Sequence, residues 1–285
     1  MRDDHPLPGT DHVVDGVRLH VVHHGAGDGV PVLLLHGMPT SSYLWRDVQR
    51  DLGHGHRTYA PDLVGLGCSE RPAAARYGFA AQAALLLALA DDLGLDRFAV
   101  AGHDVGAGVG AHLVALARER VAAFVVCDAP LYAELWPIPL VRAMGAPVLG
   151  EAQTAALRLV PGAGAKVLGT LLARGLRATA LSEKVLDHYV APLLTADGSR
   201  GMLSLIRAFD PQATEAAFAQ VRSDPPPSLV LWGAEDAWFS TAVGRRVAGD
   251  LPGSSYVEVT DAGHFLPEDR PERVAEEIAG FLAEV

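Results

Sequence analysis

The stretch RFAVAGHDVGAGVG, Arg97 to Gly110, decides the fold. Phe98 to Ala101 is a short apolar run, the mark of a strand buried on both faces of a sheet. The run ends in Gly-His-Asp-Val-Gly, and a small-residue helix follows. This is the strand–turn–helix layout of a nucleophile elbow, G-x-S-x-G, with Asp104 at the serine position. Gly102 and Gly106 flank Asp104, as a tight turn between strand and helix requires. Asp104 is then either a nucleophile of another kind or the mark of a site that has lost its chemistry.

The neighbouring segments repeat the pattern. VPVLLLHG (Val30 to Gly37), RTYAPD (Arg57 to Asp62) and VAAFVVCD (Val121 to Asp128) read as further strands. Leu44 to Leu52, Phe79 to Leu93 and Gly106 to Arg120 read as helices between them. VVDGVRLHVV (Val13 to Val22) alternates around Asp15-Gly16, the signal of a hairpin. Strands alternating with helices predict an α/β fold with a parallel sheet. The alternation stops after Ala129-Pro130 and gives way to helix-like segments and prolines. It resumes with PPPSLVLWG (Pro225 to Gly233), a helix from Thr241 to Leu251, the strand SSYVEVT, the loop DAGHFLPED and a last helix from Pro271 to Glu284. The expected organisation is therefore one α/β core, residues 1–130 and 222–285, with a helical cap, 131–221, inserted into it.

Three polar residues fall at the ends of these strands: Asp104 after FAVAG, Asp236 after SLVLWG, and His264 after SSYVEVT. Open α/β sheets gather their reactive groups outside the carboxyl ends of strands. HGMP (His36 to Pro39) follows the strand VPVLLL. Its position suits an oxyanion hole made by the backbone amides of Met38 and Val105. His36 and His103 read as structural neighbours of these loops rather than as proton carriers.

The motifs resemble the α/β-hydrolase superfamily, in the group that uses an aspartate nucleophile: epoxide hydrolases, haloalkane dehalogenases and fluoroacetate dehalogenases. HGMPTSSYLWRDV (His36 to Val48) and APDLVGLGCSERP (Ala60 to Pro72) are similar to the haloalkane dehalogenase loops, and GHDVG to the nucleophile motif of the whole group. The resemblance covers Val13 to Pro130 and Ser228 to Val285; in the cap it rests on HYVAPL (His188 to Leu193). It implies a triad of Asp104 as nucleophile, His264 as base and Asp236 as acid. Asp128 is the alternative acid, because some members carry theirs after the earlier strand. A carboxylate attacks saturated carbon to give an alkyl ester, which His264-activated water then hydrolyses.

The leaving group divides the candidates. Haloalkane dehalogenases hold the halide with a tryptophan after the nucleophile and a further Asn or Trp; this chain has Val105 and Met38 at the two comparable positions. Fluoroacetate dehalogenases place arginines after the nucleophile, where this chain has Val105 and Gly108. Epoxide hydrolases protonate the opening ring from cap tyrosines. Tyr189 and Tyr132 are the candidates here, with His188, Trp136 and Trp238 as further donors. The expectation is an epoxide hydrolase giving a vicinal diol, with dehalogenation as the alternative. A ligand-binding member of the fold without catalysis is the alternative of another class.

The composition narrows the partners. The chain of 285 residues is 49% hydrophobic and carries 23 Lys+Arg against 34 Asp+Glu, a net charge of -11. An acidic chain without a basic cluster argues against nucleic acid and anionic membranes. Two cysteines, Cys68 and Cys127, make no disulfide framework, and neither they nor the paired histidines have metal-ligand spacing. No metal or organic cofactor is expected. The substrate expected is a small apolar organic molecule, and a homodimer is left open. The polar N-terminal stretch MRDDHPLPGT shows no signal-peptide core, so a cytoplasmic protein is expected.

Overall fold

The structure is a computed structural model that describes residues 7–72, 76–136, 139–160 and 162–285. The first six residues of the polar N-terminal stretch lie outside them. The described residues form eight strands: β1 (Gly9–Val14), β2 (Val17–His24), β3 (Gly29–Leu35), β4 (His56–Pro61), β5 (Phe98–His103), β6 (Val121–Cys127), β7 (Ser228–Gly233) and β8 (Ser255–Val259). They make one sheet in the order β1-β2-β4-β3-β5-β6-β7-β8. From β4 to β8 every neighbouring pair is parallel. β1 and β2 are the antiparallel edge. Their turn is Asp15-Gly16, both with positive φ (47° and 73°), as a two-residue hairpin with right-handed strand twist demands.

β5, β6 and β7 are buried at every position, so both faces are covered. Helices α1 (Arg46–Leu52), α2 (Phe79–Asp92) and α3 (Val105–Leu116) connect the first strands. A turn of 3-10 helix, Ser42–Trp45, leads into α1, so this helix begins two residues later than the sequence pattern suggests. Between β6 and β7 the described residues form six α-helices: α4 (Pro139–Gly145), α5 (Leu149–Leu159), α6 (Ala163–Arg174), α7 (Glu183–Leu193), α8 (Ala196–Ala208) and α9 (Pro211–Ser223). Then come α10 (Thr241–Asp250), the short α11 (Leu266–Asp269) and α12 (Pro271–Leu282).

The last helix before β7, α9, packs against the core. Asp210 caps it, its Oδ1 accepting from the Ala213 amide at 3.0 Å, and Pro211 opens its first turn. The helix packs on α3 of the core: a Cβ on Gly108 would stand 3.4 Å from Thr214 Cγ2. Within the segment expected as cap, α9 is thus the helix seated on α3. No single helix among the described residues is long and apolar enough to cross a membrane.

Candidate active site

Asp104 sits between β5 and α3 with φ 52° and ψ -124°, a conformation outside the regions open to most L-residues. Its two glycine neighbours serve by close approach, since neither has positive φ. A Cβ on Gly106 would stand 2.3 Å from the Leu35 carbonyl oxygen, and one on Gly102 would stand 2.5 Å from Ala107 Cα. The turn is therefore wedged against β3 and against its own helix. That wedge places Asp104 at the helix start, 4% exposed.

The Met38 amide donates to Asp104 Oδ2 at 3.0 Å, and the Val105 amide also bonds the carboxylate. Gly37 allows this contact, since a Cβ there would lie 2.7 Å from Oδ2. The other oxygen, Oδ1, stands 4.0 Å from His264 Nε2. His264 Nδ1 donates to Asp236 Oδ2 at 3.0 Å. Asp236 Oδ1 accepts from the amides of Trp238 (2.7 Å) and Phe239 (3.0 Å), which fixes the carboxylate. Asp104, His264 and Asp236 thus converge from three strand ends, with the amides of Met38 and Val105 both on the Asp104 carboxylate.

Electrostatics distinguish the groups. Burial pushes the Asp104 carboxyl above the usual range, against the pull of His264 and the two amides. Burial would lower His264, but the charge and hydrogen bond of Asp236, with Asp104, raise it above the ordinary imidazole value. Asp128 is not the partner of His264. Its Oδ1 accepts from the Gly233 amide at 2.9 Å, and burial, with the charge of Asp236, holds it well above the carboxylate range.

Burial, as the largest influence, lowers both His36 and His103 below the ordinary imidazole value. His36 donates from Nδ1 to the Gly37 carbonyl (2.8 Å) and accepts at Nε2 from the Leu63 amide (3.0 Å). It braces the oxyanion loop. His103 Nε2 donates to the His264 carbonyl at 2.8 Å.

Above Asp104 is a cavity of about 60 Å³. Asp104 and His264 are at its floor, and apolar side chains make most of its wall. Trp136 and Trp238 both line it, as two of the proposed donors should. The Trp136 indole N–H already donates to the Pro130 carbonyl at 3.2 Å. That of Trp238 has no acceptor among the described residues, and its ring stands edge-on to His264 with centroids 4.5 Å apart.

The other proposed donors lie elsewhere. Tyr132 donates to Asp250 Oδ2 at 2.9 Å, and burial with that bond raises its hydroxyl far above the usual phenol range. Tyr189 donates to Glu268 and is buried away from the cavity, which likewise raises it. His188 stacks on Tyr43, centroids 4.3 Å apart, and lines a separate cleft on the far side of α7. Val141 with Met144, Leu168 with Leu171, and Met202 with Ile206 complete the wall. The sequence reading passed over these pairs, although their spacing of three or four on α4, α6 and α8 marks one face of each helix.

The alpha/beta hydrolase fold family matches residues 30–271. The chain belongs to the α/β-hydrolase family. Haloalkane dehalogenase 2 of Mycobacterium tuberculosis is 30% identical over 271 residues, covering 90% of this chain and 89% of that protein. Epoxide hydrolase A of the same species is 30% identical over 314 residues, covering 96% and 97%. Among solved structures, haloalkane dehalogenase DbeA from Bradyrhizobium elkani superposes with a TM-score of 0.83 at 27% identity, covering 97% of this chain and 98% of that one. This α/β-hydrolase is therefore related along nearly its whole length to enzymes of both chemistries.

Proposed function

We propose that the protein hydrolyses a carbon–halogen bond of a small apolar organic substrate through a covalent ester on Asp104. One observation carries this ordering: among the described residues the wall around Asp104 offers no hydroxyl, and its one uncommitted donor is the Trp238 indole. A halide leaves as a stable anion and needs only a hydrogen bond. An opening epoxide leaves as an alkoxide, which needs a proton that an indole does not give up. The tyrosines on which the epoxide expectation rested hold carboxylates elsewhere. The relatives named above support both chemistries alike.

The Met38 amide occupies Oδ2, so Oδ1 is the attacking oxygen. It forms a bond to the substrate carbon as the halide departs toward Trp238. His264, neutral and accepting at Nε2, takes a proton from water while the water oxygen bonds to Asp104 Cγ. The amides of Met38 and Val105 hold the tetrahedral oxyanion. The bond from Cγ to Oδ1 then breaks, His264 returns the proton, and the alcohol leaves with the former Oδ1. Asp236 keeps the imidazole oriented and balances its charge.

The test is halide release from a panel of bromoalkanes against diol formation from alkyl and aryl epoxides. Trp238→Phe is expected to lower halide release about tenfold or more, as loss of one charge-stabilising donor does. Turnover of epoxides without release of halide from any bromoalkane overturns the proposal. Epoxide opening is the second reading, favoured by the full-length likeness to epoxide hydrolase A.

A further inference from the structure

Two acidic residues follow the base on α11, Glu268 and Asp269, and neither lines the cavity. Asp269 is fully buried. Its Oδ2 accepts from the amides of Gly263 (2.9 Å) and Arg177 (2.8 Å), and its Oδ1 from those of Ala178 (2.9 Å) and Thr179 (2.9 Å). Gly263 immediately precedes His264. Residues 177–179 belong to the strap that joins α6 to α7 in the cap. One carboxylate therefore holds the base loop and the cap strap together.

The junction is tight from both sides. The Phe265 amide donates to the Gly175 carbonyl at 3.1 Å. A Cβ on Gly263 would stand 2.5 Å from that same carbonyl oxygen, and one on Gly175 would stand 2.6 Å from the Phe265 ring. Both peptide neighbours of His264 are thus pinned to the junction with the cap strap. Glu268 adds a second fastening: it pairs with Arg46 of α1 (Nη2 to Oε2 3.0 Å) and accepts from Tyr189 of α7.

We propose that Asp269 is the positioning residue for the hydrolytic half of the reaction, fixing His264 above the Asp104 ester and making that placement depend on a seated cap. The inference rests on Asp104 as the nucleophile. The first half-reaction needs Asp104, which the elbow holds, and the Trp238 donor, whose amide bonds Asp236; neither is bonded to Asp269. The second needs His264 within reach of the ester and its water, and a misplacement of about 1 Å costs on the order of 10²-fold in rate. Loosening the junction should therefore slow ester hydrolysis far more than ester formation.

Asp269→Asn is nearly isosteric but replaces one acceptor oxygen with a donor that faces backbone amides. Rapid quench with 1-bromobutane and intact-mass analysis compares it with wild type and with His264→Gln. The expected result is a first-turnover halide burst close to wild type, steady turnover about 10- to 100-fold lower, and an alkyl adduct on most of the protein. Lowered turnover without adduct, or turnover unchanged, overturns the inference. Gly263→Ala wedges the same junction without touching the carboxylate. Should Asp269→Asn fail to fold, adduct in Gly263→Ala supports the proposal and absence of adduct overturns it. If His264→Gln itself carries no adduct with a substrate that wild type turns over, the nucleophile assignment falls, and this inference with it.

Discussion

Asp104→Asn should stabilise the folded protein while abolishing turnover. The carboxylate is 4% exposed, and burial is the largest influence on its ionisation, outweighing the attraction of His264 and the bonds from Met38 and Val105. Asn keeps the shape and an oxygen for the Met38 amide, and it tolerates positive φ as well as Asp does. What disappears is the cost of a buried negative charge, less the charge-assisted part of its hydrogen bonds. The net is about 1–2 kcal/mol at pH 8. At ~2–4 °C per kcal/mol for a chain of this size, Tm rises on the order of 5 °C.

The gain must depend on pH with a fixed sign. The folded-state pKa is raised, so stability from the protonated group is present below the unfolded pKa and is lost as pH rises through the folded one. Wild type and Asn variant should converge in acid and diverge toward pH 8. Calorimetric melts at several pH values test this. A variant less stable than wild type at pH 8, or a difference independent of pH, refutes the reasoning.

Two further outcomes follow from the same geometry. The charge and hydrogen bond of Asp236 raise His264, so decay of the Asp104 ester should slow as pH falls and the imidazole takes up its proton; single-turnover adduct decay measures it, and decay independent of pH contradicts the base role. Tyr189→Phe removes the donor to Glu268 and no proton source, so turnover stays within about threefold while stability drops about 1.5–3 kcal/mol by urea melts; loss of turnover with stability intact would return Tyr189 to the chemistry.

The core was legible because its signals are local. Asp15-Gly16 announces its own turn, and continuous apolar runs ending in glycine announce buried parallel strands. Asp104, Asp236 and His264 were legible as a group because each follows the carboxyl end of a strand. The cap was not, because its decisive contacts are long-range. Tyr189 lies on the α7 face with Val185 and Val190, but only Glu268, nearly eighty positions away, makes that face a clamp rather than a pocket wall. Asp128 and Asp236 are alike in local sequence. What separates them is the register of β6 against β7, which sends Asp128 to the Gly233 amide and leaves His264 to Asp236. Asp210-Pro211 is a readable helix start, yet nothing near it says that α9 turns back to the core.

The chain has four methionines, and three of them, Met38, Met144 and Met202, line the cavity. Thioethers adapt their shape to varied guests, but each oxidises to a polar sulfoxide. Peroxide would then strike the binding surface before it strikes the fold. An enzyme of this build should lose affinity for greasy guests under oxidative stress while melting almost as before, and a bound guest should protect it. Sulfoxide reductases, rather than chaperones, would restore it.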